Sequence, residues 1–393
     1  MVREGAARAE LRLRTTGEVG MATMAVAGTG PVSSRPRPAP VLRPRGPRSR
    51  FVLDALAGPP RPLGPMPPAV DDPIEGDDSA LALYTCYELH YGGLPGVDDG
   101  WEWEPSLLGA RRELEQDLER ALVEMVGARC PVEEGRGADP AGAVERALLE
   151  LQARPGPSLS SFVLAGGTLE QVRELAVHRS AYQLKEADPH TWAIPRLAGR
   201  SKAALVDIQF GEYGDGDPAR VHAELFARTL RALDLDDRVG AYVDRLPGVS
   251  LSTCNLISLF GLHRRWRGAL VGHLALFELC SVVPMGRYRD ALVALGYGPD
   301  ATEFYAAHVE ADARHQEVAL REMVAGLVAD EPDLAADVVF GARSLSALEG
   351  RFADHVLRAW RSGRSSLRQP LRAASHRQGS NGGGLAETML GSH

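Results

Sequence analysis

The sequence predicts an all-α helical bundle, and three observations lead to that fold class. Apolar residues recur at helical spacing, as in 111–126, where they form one stripe along a helix. Helix-start signals recur as well: Asp139 precedes Pro140, and Thr168 with Gln171 forms a capping box. The third observation is that no β-hairpin signal, strand–helix alternation or fixed-period repeat is visible in the sequence.

Each predicted helix has a start signal, a stop signal or an apolar stripe of its own. In chain order we expect a helix over 111–126, one from Pro140 to about Ala153, one from Thr168 that Asp188-Pro189 closes, one that Ser201 caps and that includes 203–210, one that Asp217-Pro218 starts and that carries His222, and one that a capping box of Asp300 and Glu303 opens.

Composition indicates a globular protein of reducing compartments. Of the 393 residues, 44% are hydrophobic and 24% are charged. No run approaches the ~18 uninterrupted apolar residues of a transmembrane helix, so no membrane partner is expected. The four cysteines are far apart and form no CxxC pair, which disfavours a disulfide framework and predicts a cytoplasmic location.

The two ends of the chain differ in composition from its middle. Residues 1–50 hold ten arginines, no lysine and three glutamates, a net charge of +7. Since the whole chain carries −8, the remainder carries about −15. We predict a disordered Pro/Arg/Gly-rich tail at 1–77, a helical domain at 78–362 and a second disordered tail at 363–393. A targeting peptide is disfavoured because no apolar segment precedes a cleavage site, and no nucleic-acid partner is expected.

A possible metal-binding motif, H-x3-D-x2-H, lies inside the last of the predicted helices. His308, Asp312 and His315 are offset by 4 and 7 positions, which places their side chains within about 60° of one another on a helix. Two imidazoles and a carboxylate on one stripe suit a transition-metal site. The alternative interpretation is a polar helix face that is rich in histidine.

Three further candidate ligands lie upstream. Glu186 is expected in the last turn of its helix, where a surface charge is the alternative. Glu212 and His222 would lie about 15 Å apart on one straight helix, too far to share a metal. The glycines at 211, 214 and 216 and the proline at 218 predict a break that turns both side chains toward one centre.

Taken together, Glu186, Glu212, His222, His308, Asp312 and His315 resemble the ligand pattern of the haem-oxygenase-like diiron oxidases and oxygenases, the iron-containing redox enzyme family. The neighbouring sequences at 87–94, 185–192, 211–214 and 308–315 resemble that family too, and the resemblance covers about 80–360. It implies a haem-oxygenase-like helical bundle in which these six residues hold two irons, with manganese as an alternative metal. No catalytic residue beyond the metal ligands is implied. The implied activity is O2-dependent oxidation of a small organic substrate, by N-oxygenation or by oxidation at C–H or C–C bonds.

Two other residues are candidates for contact with substrate. Glu278 lies in an apolar helix, where a charge costs free energy unless it is paired. It is expected either to face the cavity or to pair with an arginine. Tyr305 precedes His308 by three positions and is expected near the metal or in the core. His178 and His190 are interpreted as packing or turn residues.

Several functions compete with the diiron enzyme. A haem-degrading enzyme on the same fold would need an axial histidine and a porphyrin-sized pocket. A thiaminase-like hydrolase would need an activated cysteine, for which Cys280 is the candidate. A non-catalytic helical protein would leave the ligand set without a reaction. The diiron enzyme has a small-molecule substrate and O2 as partners, and it is compatible with an external electron donor and with a homodimer.

Overall fold

Helices make up the regular structure of residues 42–129 and 139–372, which are the residues that the computed structural model describes. No β-strand occurs within those ranges, so the prediction of an all-α fold is confirmed. The α-helices are α1 Pro47–Leu56, α2 Asp77–Glu88, α3 Pro105–Val126, α4 Pro140–Gln152, α5 Leu159–Leu164, α6 Leu169–Gln183, α7 Asp188–Thr191, α8 Gly199–Glu212, α9 His222–Ala232, α10 Gly248–Leu262, α11 Arg267–Ala294, α12 Pro299–Glu317, α13 Ala325–Asp330 and α14 Ala335–Arg361. Short 3-10 helices lie at Asp99–Trp103, Ile194–Arg196, Gly214–Gly216, Val243–Arg245, Arg264–Trp266 and Pro332–Leu334, and a π-helical stretch, Val318–Val324, joins α12 to α13.

Helix α11 lies at the centre of the described residues, where α12 and α14 both pack against it. The approach of α11 to α14 requires glycine on both helices. A Cβ atom on Gly272 would lie 1.9 Å from the carbonyl oxygen of Val338, and one on Gly341 would lie 2.0 Å from that of Ala269. This close crossing fixes the position of α11 relative to α14, and α11 carries Glu278.

The same central helix has the length and composition of a membrane-spanning segment. Within the stretch Arg264–Ala294 an 18-residue window has a mean hydropathy of 1.6, and this is the one such candidate in the described part of the chain. However, 72% of its apolar window is buried inside the protein. The core helix of a helical bundle passes the same test of length and hydropathy, so the hydropathy is weak evidence for a membrane span.

Two of the predicted helix starts are confirmed. Asp139 caps α4 through the backbone N–H groups of Ala141 and Gly142, and Thr168 caps α6 in a capping box with Gln171. Three others are wrong, because Ser201 lies inside α8, Gly298 rather than Asp300 precedes α12, and α9 begins at His222 rather than at Asp217-Pro218. Helices α8 and α12 begin at Gly199 and Pro299, so the polar residue one or two positions further on lies inside the first turn and is not a cap.

The predicted N-terminal tail is too long. Residues 42–77 are described and packed, and α1 buries Val52, Ala55 and Leu56. The Asp78 carboxylate accepts hydrogen bonds from the backbone N–H groups of Arg48 and Ser49 at 3.0 and 2.7 Å, which fixes the start of α1 against α2. The Pro- and Arg-rich composition therefore concealed a short helix. Residues 1–41 lie outside the described residues.

The predicted C-terminal boundary at residue 363 also needs correction. Ser366 and Leu367 are buried, and the Glu174 carboxylate on α6 accepts hydrogen bonds from the backbone N–H and hydroxyl groups of Ser366 at 3.0 and 2.7 Å. This segment has no apolar period, so its anchoring by a tertiary hydrogen bond was not visible in the sequence. Residues 373–393 lie outside the described residues.

Candidate metal centre

Helix α12 presents the predicted H-x3-D-x2-H stripe to the interior. His308, Asp312 and His315 are all buried on one face of the helix. The Nδ1 atom of His308 lies 2.8 Å from the carbonyl oxygen of Phe304, which places the ring proton on Nδ1 and leaves the lone pair of Nε2 free. That Nε2 atom lies 3.3 Å from a carboxylate oxygen of Glu186. Helix α12 therefore holds the His308 imidazole in the orientation and tautomer that a metal ligand needs.

Glu186 lies in a turn between α6 and α7 and not, as predicted, in the last turn of a helix. The next residue, Ala187, has a φ of 76°, a strained conformation for a residue with a side chain. Its carbonyl oxygen accepts a hydrogen bond from the Gln209 amide at 2.8 Å. On the other side, the buried Lys185 ammonium pairs with Glu88 on α2. These contacts hold the turn in the one conformation that aims Glu186 at His308.

The predicted break between Glu212 and His222 is present. Helix α8 ends at Glu212, and α9 begins at His222. Gly214 and Gly216 have φ values of 72° and 85°, the left-handed region in which glycine is favoured. The chain thus reverses, and the Nδ1 atom of His222 comes within 2.7 Å of a Glu212 oxygen.

A hydrogen bond joins this break to the turn that carries Glu186. The hydroxyl of Tyr213, the residue after Glu212, donates to the Asp188 carboxylate at 2.8 Å. Gly211, expected only as a helix breaker, has a further role. A Cβ atom there would lie 2.9 Å from the His315 ring, so glycine makes room for that imidazole.

The ligand-type residues form two adjacent groups that share one carboxylate. Within each group, one candidate donor atom per residue lies within 4.8 Å of all the others. All seven residues are at most 6% exposed. The first group is Glu186, Glu212, His222 and His308, and the second is Glu212, Glu278, Asp312 and His315. Glu212 belongs to both, which suits a carboxylate that bridges two ions.

Glu278 is the member of the cluster that the sequence did not assign to the metal. It reaches the second group from α11, and one of its oxygens lies 3.7 Å from the Nδ1 atom of His315. The expected alternative, a pairing with an arginine, is wrong, because the charged neighbours of Glu278 are the other cluster residues. A buried glutamate in an otherwise apolar helix was the signal in the sequence.

Several potential donor atoms of the cluster have no hydrogen-bond partner among the described residues. They are one carboxylate oxygen of Glu186 and the Nδ1 atoms of His222 and His315. His222 and His315 lie close to carboxylate oxygens without hydrogen-bonding geometry. Unpaired buried polar atoms are rare, and a metal ion among them would satisfy all three.

The carboxylates perturb one another strongly. Burial, together with the charges of Asp312 and Glu212, raises the pKa of Glu278 well above its usual range. Burial also raises the pKa of Asp312, to about 6. Burial opposes ionisation of Glu212 as well, yet the charge of His222 outweighs it and lowers that pKa to about 2. Four carboxylates this close repel one another, and bound cations would offset that repulsion.

A pocket of about 290 Å³ adjoins the cluster, its open rim included. Besides cluster residues its wall contains Tyr182, Ala187, His190, Gln209, Leu274 and Phe277. The buried Oε1 atom of Gln209 has no hydrogen-bond partner among the described residues. Tyr305 does not belong to this wall; it is buried against Phe304 and Tyr288, and its contact with substrate stays a prediction.

The competing enzyme classes fit this site less well. A haem-degrading enzyme uses a single axial histidine, whereas all three imidazoles of the cluster lie among buried carboxylates, within 3.7 Å of a carboxylate oxygen. Packing around Cys280, with the charge of Glu349, raises the pKa of its thiol to about 11. A thiaminase-like nucleophile needs the opposite shift.

Comparison with known proteins agrees with the geometry. No curated protein matches the chain. Residues 173–350 match a family model described as iron-containing redox enzyme, and this range includes all seven residues of the cluster. The family supports an oxidoreductase, and the two buried groups fit two metal ions. The part of the chain that carries the cluster therefore matches the haem-oxygenase-like, iron-containing redox enzyme family.

Proposed function

We propose that the protein is a non-haem diiron oxidase or oxygenase that uses O2 to oxidise a small organic substrate. The observation that carries the proposal is the pair of buried ligand groups joined at Glu212. Four carboxylates can neutralise two divalent cations, and imidazole and carboxylate ligands without thiolate suit Fe(II), with Mn(II) as the alternative.

In this proposal Glu186, His222 and His308 would hold one iron, Glu278, Asp312 and His315 would hold the other, and Glu212, which belongs to both groups, would be available to both. Two reduced irons would supply the electrons that activate O2 for N-oxygenation or for oxidation at C–H or C–C bonds. An external electron donor would then restore the reduced state.

The chain itself positions the reactants. Leu274 and Phe277 give the pocket an apolar wall that excludes water from the reaction. The free Oε1 atom of Gln209 can accept a hydrogen bond from an N–H or O–H group of a substrate in the pocket. The Tyr182 hydroxyl keeps its proton because burial, with the charges of Glu186 and Glu212, raises its pKa well above 10.

The test is anaerobic loading with Fe(II), removal of unbound iron and then addition of O2. We expect two irons per chain and oxidation of both by O2, with no Soret band after haem is offered. A single iron, or iron that O2 does not oxidise, would contradict the proposal. Loading with Mn(II) in parallel determines which metal reacts.

A further inference from the structure

Two buried imidazoles that belong to neither ligand group are joined by a hydrogen bond. His190 on α7 and His273 on α11 are 2% and 3% exposed. The Nε2 atom of His190 lies 3.3 Å from the Nδ1 atom of His273. The outer ring nitrogens of the pair are therefore Nδ1 of His190 and Nε2 of His273.

The two rings line different cavities. His190 lies in the wall of the pocket beside the metal cluster, together with Gln209 and Glu212. His273 lies in the wall of a second cavity, of about 340 Å³ with its open rim included. The imidazole pair therefore connects the two spaces.

The second cavity contains an ion pair that water can reach. Arg179 donates two hydrogen bonds to the Glu349 carboxylate, at 2.8 and 2.6 Å. The Glu349 side chain is 28% exposed, and its charge partly offsets the effect of burial on the pKa of His273. A carboxylate that water can reach, in the wall of the same cavity as a buried imidazole, can take part in proton transfer toward that imidazole.

The partition between the cavities is otherwise aromatic. Tyr182 and Phe277 line both spaces, and their rings meet edge to face at 5.8 Å. Phe277 also stacks in parallel on His273, with ring centroids 6.0 Å apart. The ring of Phe277 cannot conduct a proton, whereas the two imidazoles beside it offer a hydrogen-bonded path.

Both imidazoles are neutral at neutral pH. Burial lowers the pKa of His273 to about 4, and burial with the charge of His273 lowers the pKa of His190 well below its usual value. A neutral imidazole has one donor nitrogen and one acceptor nitrogen, so it can accept a proton on one side and release another from the opposite side.

We propose that His273 and His190 form a proton relay from the second cavity, which contains Glu349, to the pocket beside the metal centre. The inference rests on the proposed function, because reduction of O2 consumes protons. His273 Nε2 takes up a proton, the proton on His273 Nδ1 passes to His190 Nε2, and the proton on His190 Nδ1 is released into the pocket. One proton moves in total and no electron does; the electrons come from the reduced iron.

The first test needs no metal. In metal-free protein labelled with 15N-histidine, the shared proton should give a coupling between the Nε2 nitrogen of His190 and the Nδ1 nitrogen of His273, with both rings neutral at pH 7. Replacement of either residue by glutamine should abolish it. Two uncoupled rings in the wild-type protein would overturn the relay.

The second test measures proton delivery in the iron-loaded enzyme. H190Q and H273Q should each retain two irons, yet O2-dependent oxidation of Fe(II) should slow by at least ~10-fold and its solvent deuterium isotope effect should change. Added imidazole should partly restore the rate of His273→Gly. His178→Gln is the matched control, because His178 lines the same second cavity, is equally buried and has no contact with His190.

The outcomes separate the two proposals. Suppose that the wild-type enzyme reacts with O2 and that H273Q shows the same rate of Fe(II) oxidation and the same isotope effect. That result would overturn the relay and leave the diiron function standing. A wild-type protein that binds no iron, or whose iron does not react with O2, would overturn both. If H273Q fails to hold two irons, the nitrogen coupling in the wild-type protein decides.

Discussion

The Nδ1 atom of His222 lies 2.7 Å from a carboxylate oxygen of Glu212, although residues 213–221 intervene along the chain. The intervening segment makes this possible by reversing direction between α8 and α9. Both proposed ion positions use Glu212, so the conformation of this one segment affects the whole centre.

Gly214→Ala should disrupt the reversal. The glycine has a φ of 72°, and an added Cβ would lie 2.6 Å from the backbone carbon of Arg220 and the nitrogen of Val221. We expect a loss of about 1–3 kcal/mol in the free energy of unfolding, and weaker binding of Fe(II). Gly216→Ala is the control: its φ is 85°, but the nearest atom to a Cβ is 4.0 Å away, so it lacks the steric clash. Equal effects of the two substitutions would show that the clash is unimportant.

Metal should also change the mobility of this segment. The break interrupts helical hydrogen bonds, and Asp215 adds a further residue with positive φ. Hydrogen exchange across 205–225 should therefore be fast in metal-free protein and slower once two Fe(II) ions are bound. Strong protection in both states would indicate a preformed site and would contradict this coupling, without changing the ligand assignment.

Local signals explain what could be predicted from the sequence. The helical class follows from apolar periodicity, and the caps at Asp139 and Thr168 follow from residue types that act within one turn. The break after Glu212 was predictable because glycines and a proline interrupt a helix whatever surrounds it. The six predicted metal ligands were found because their order and spacing resemble a family pattern.

Tertiary contacts explain what could not be predicted. Glu278 joins the cluster only because α11 packs against α12, and nothing in its apolar neighbours reveals that approach. His190 and His273 are 83 residues apart, and each resembles a packing residue when it is considered alone. The helix at 47–56 was missed because prolines and arginines around it mask its short apolar face.

Glu212→Ala should remove more iron than any other single substitution in the cluster, because Glu212 belongs to both ligand groups. We expect less than one iron per chain after anaerobic loading, against about one for His308→Ala, which affects one group only. Glu310→Ala, an exposed carboxylate on the same helix as His308, should keep two irons. Two irons in Glu212→Ala would refute the shared carboxylate.

Glu278→Gln tests the ligand that the sequence did not assign. The substitution keeps the size of the side chain and removes its charge, so the second group should lose its iron while the first keeps one. Iron analysis after loading measures the stoichiometry. Since four close carboxylates repel one another, the metal-free variant should be at least as stable to urea as the wild type. Retention of two tightly bound irons would make Glu278 a pocket residue and not a ligand.

Acid should destabilise the metal-free fold through His178, which is 3% exposed and has both ring nitrogens within 2.9 Å of serine hydroxyls. Burial, then the charges of His355 and Arg179, lower its pKa to about 3, whereas the unfolded chain titrates near ~6.5. Between those values the unfolded chain binds a proton that the folded protein does not, so stability falls as the pH falls from 6.5 toward 3, by at most ~1.4 kcal/mol per pH unit. Above pH 7 the residue is neutral in both states and contributes no pH dependence.

Urea unfolding of wild type and His178→Gln in EDTA isolates this contribution, because the difference between the two free energies cancels the other titrating groups. That difference should shift in favour of the variant on going from pH 6.5 to 5 and should stay constant from pH 7.5 to 9. A difference that is the same at pH 5 and pH 8 would mean that His178 takes up a proton in the folded protein as easily as in the unfolded chain.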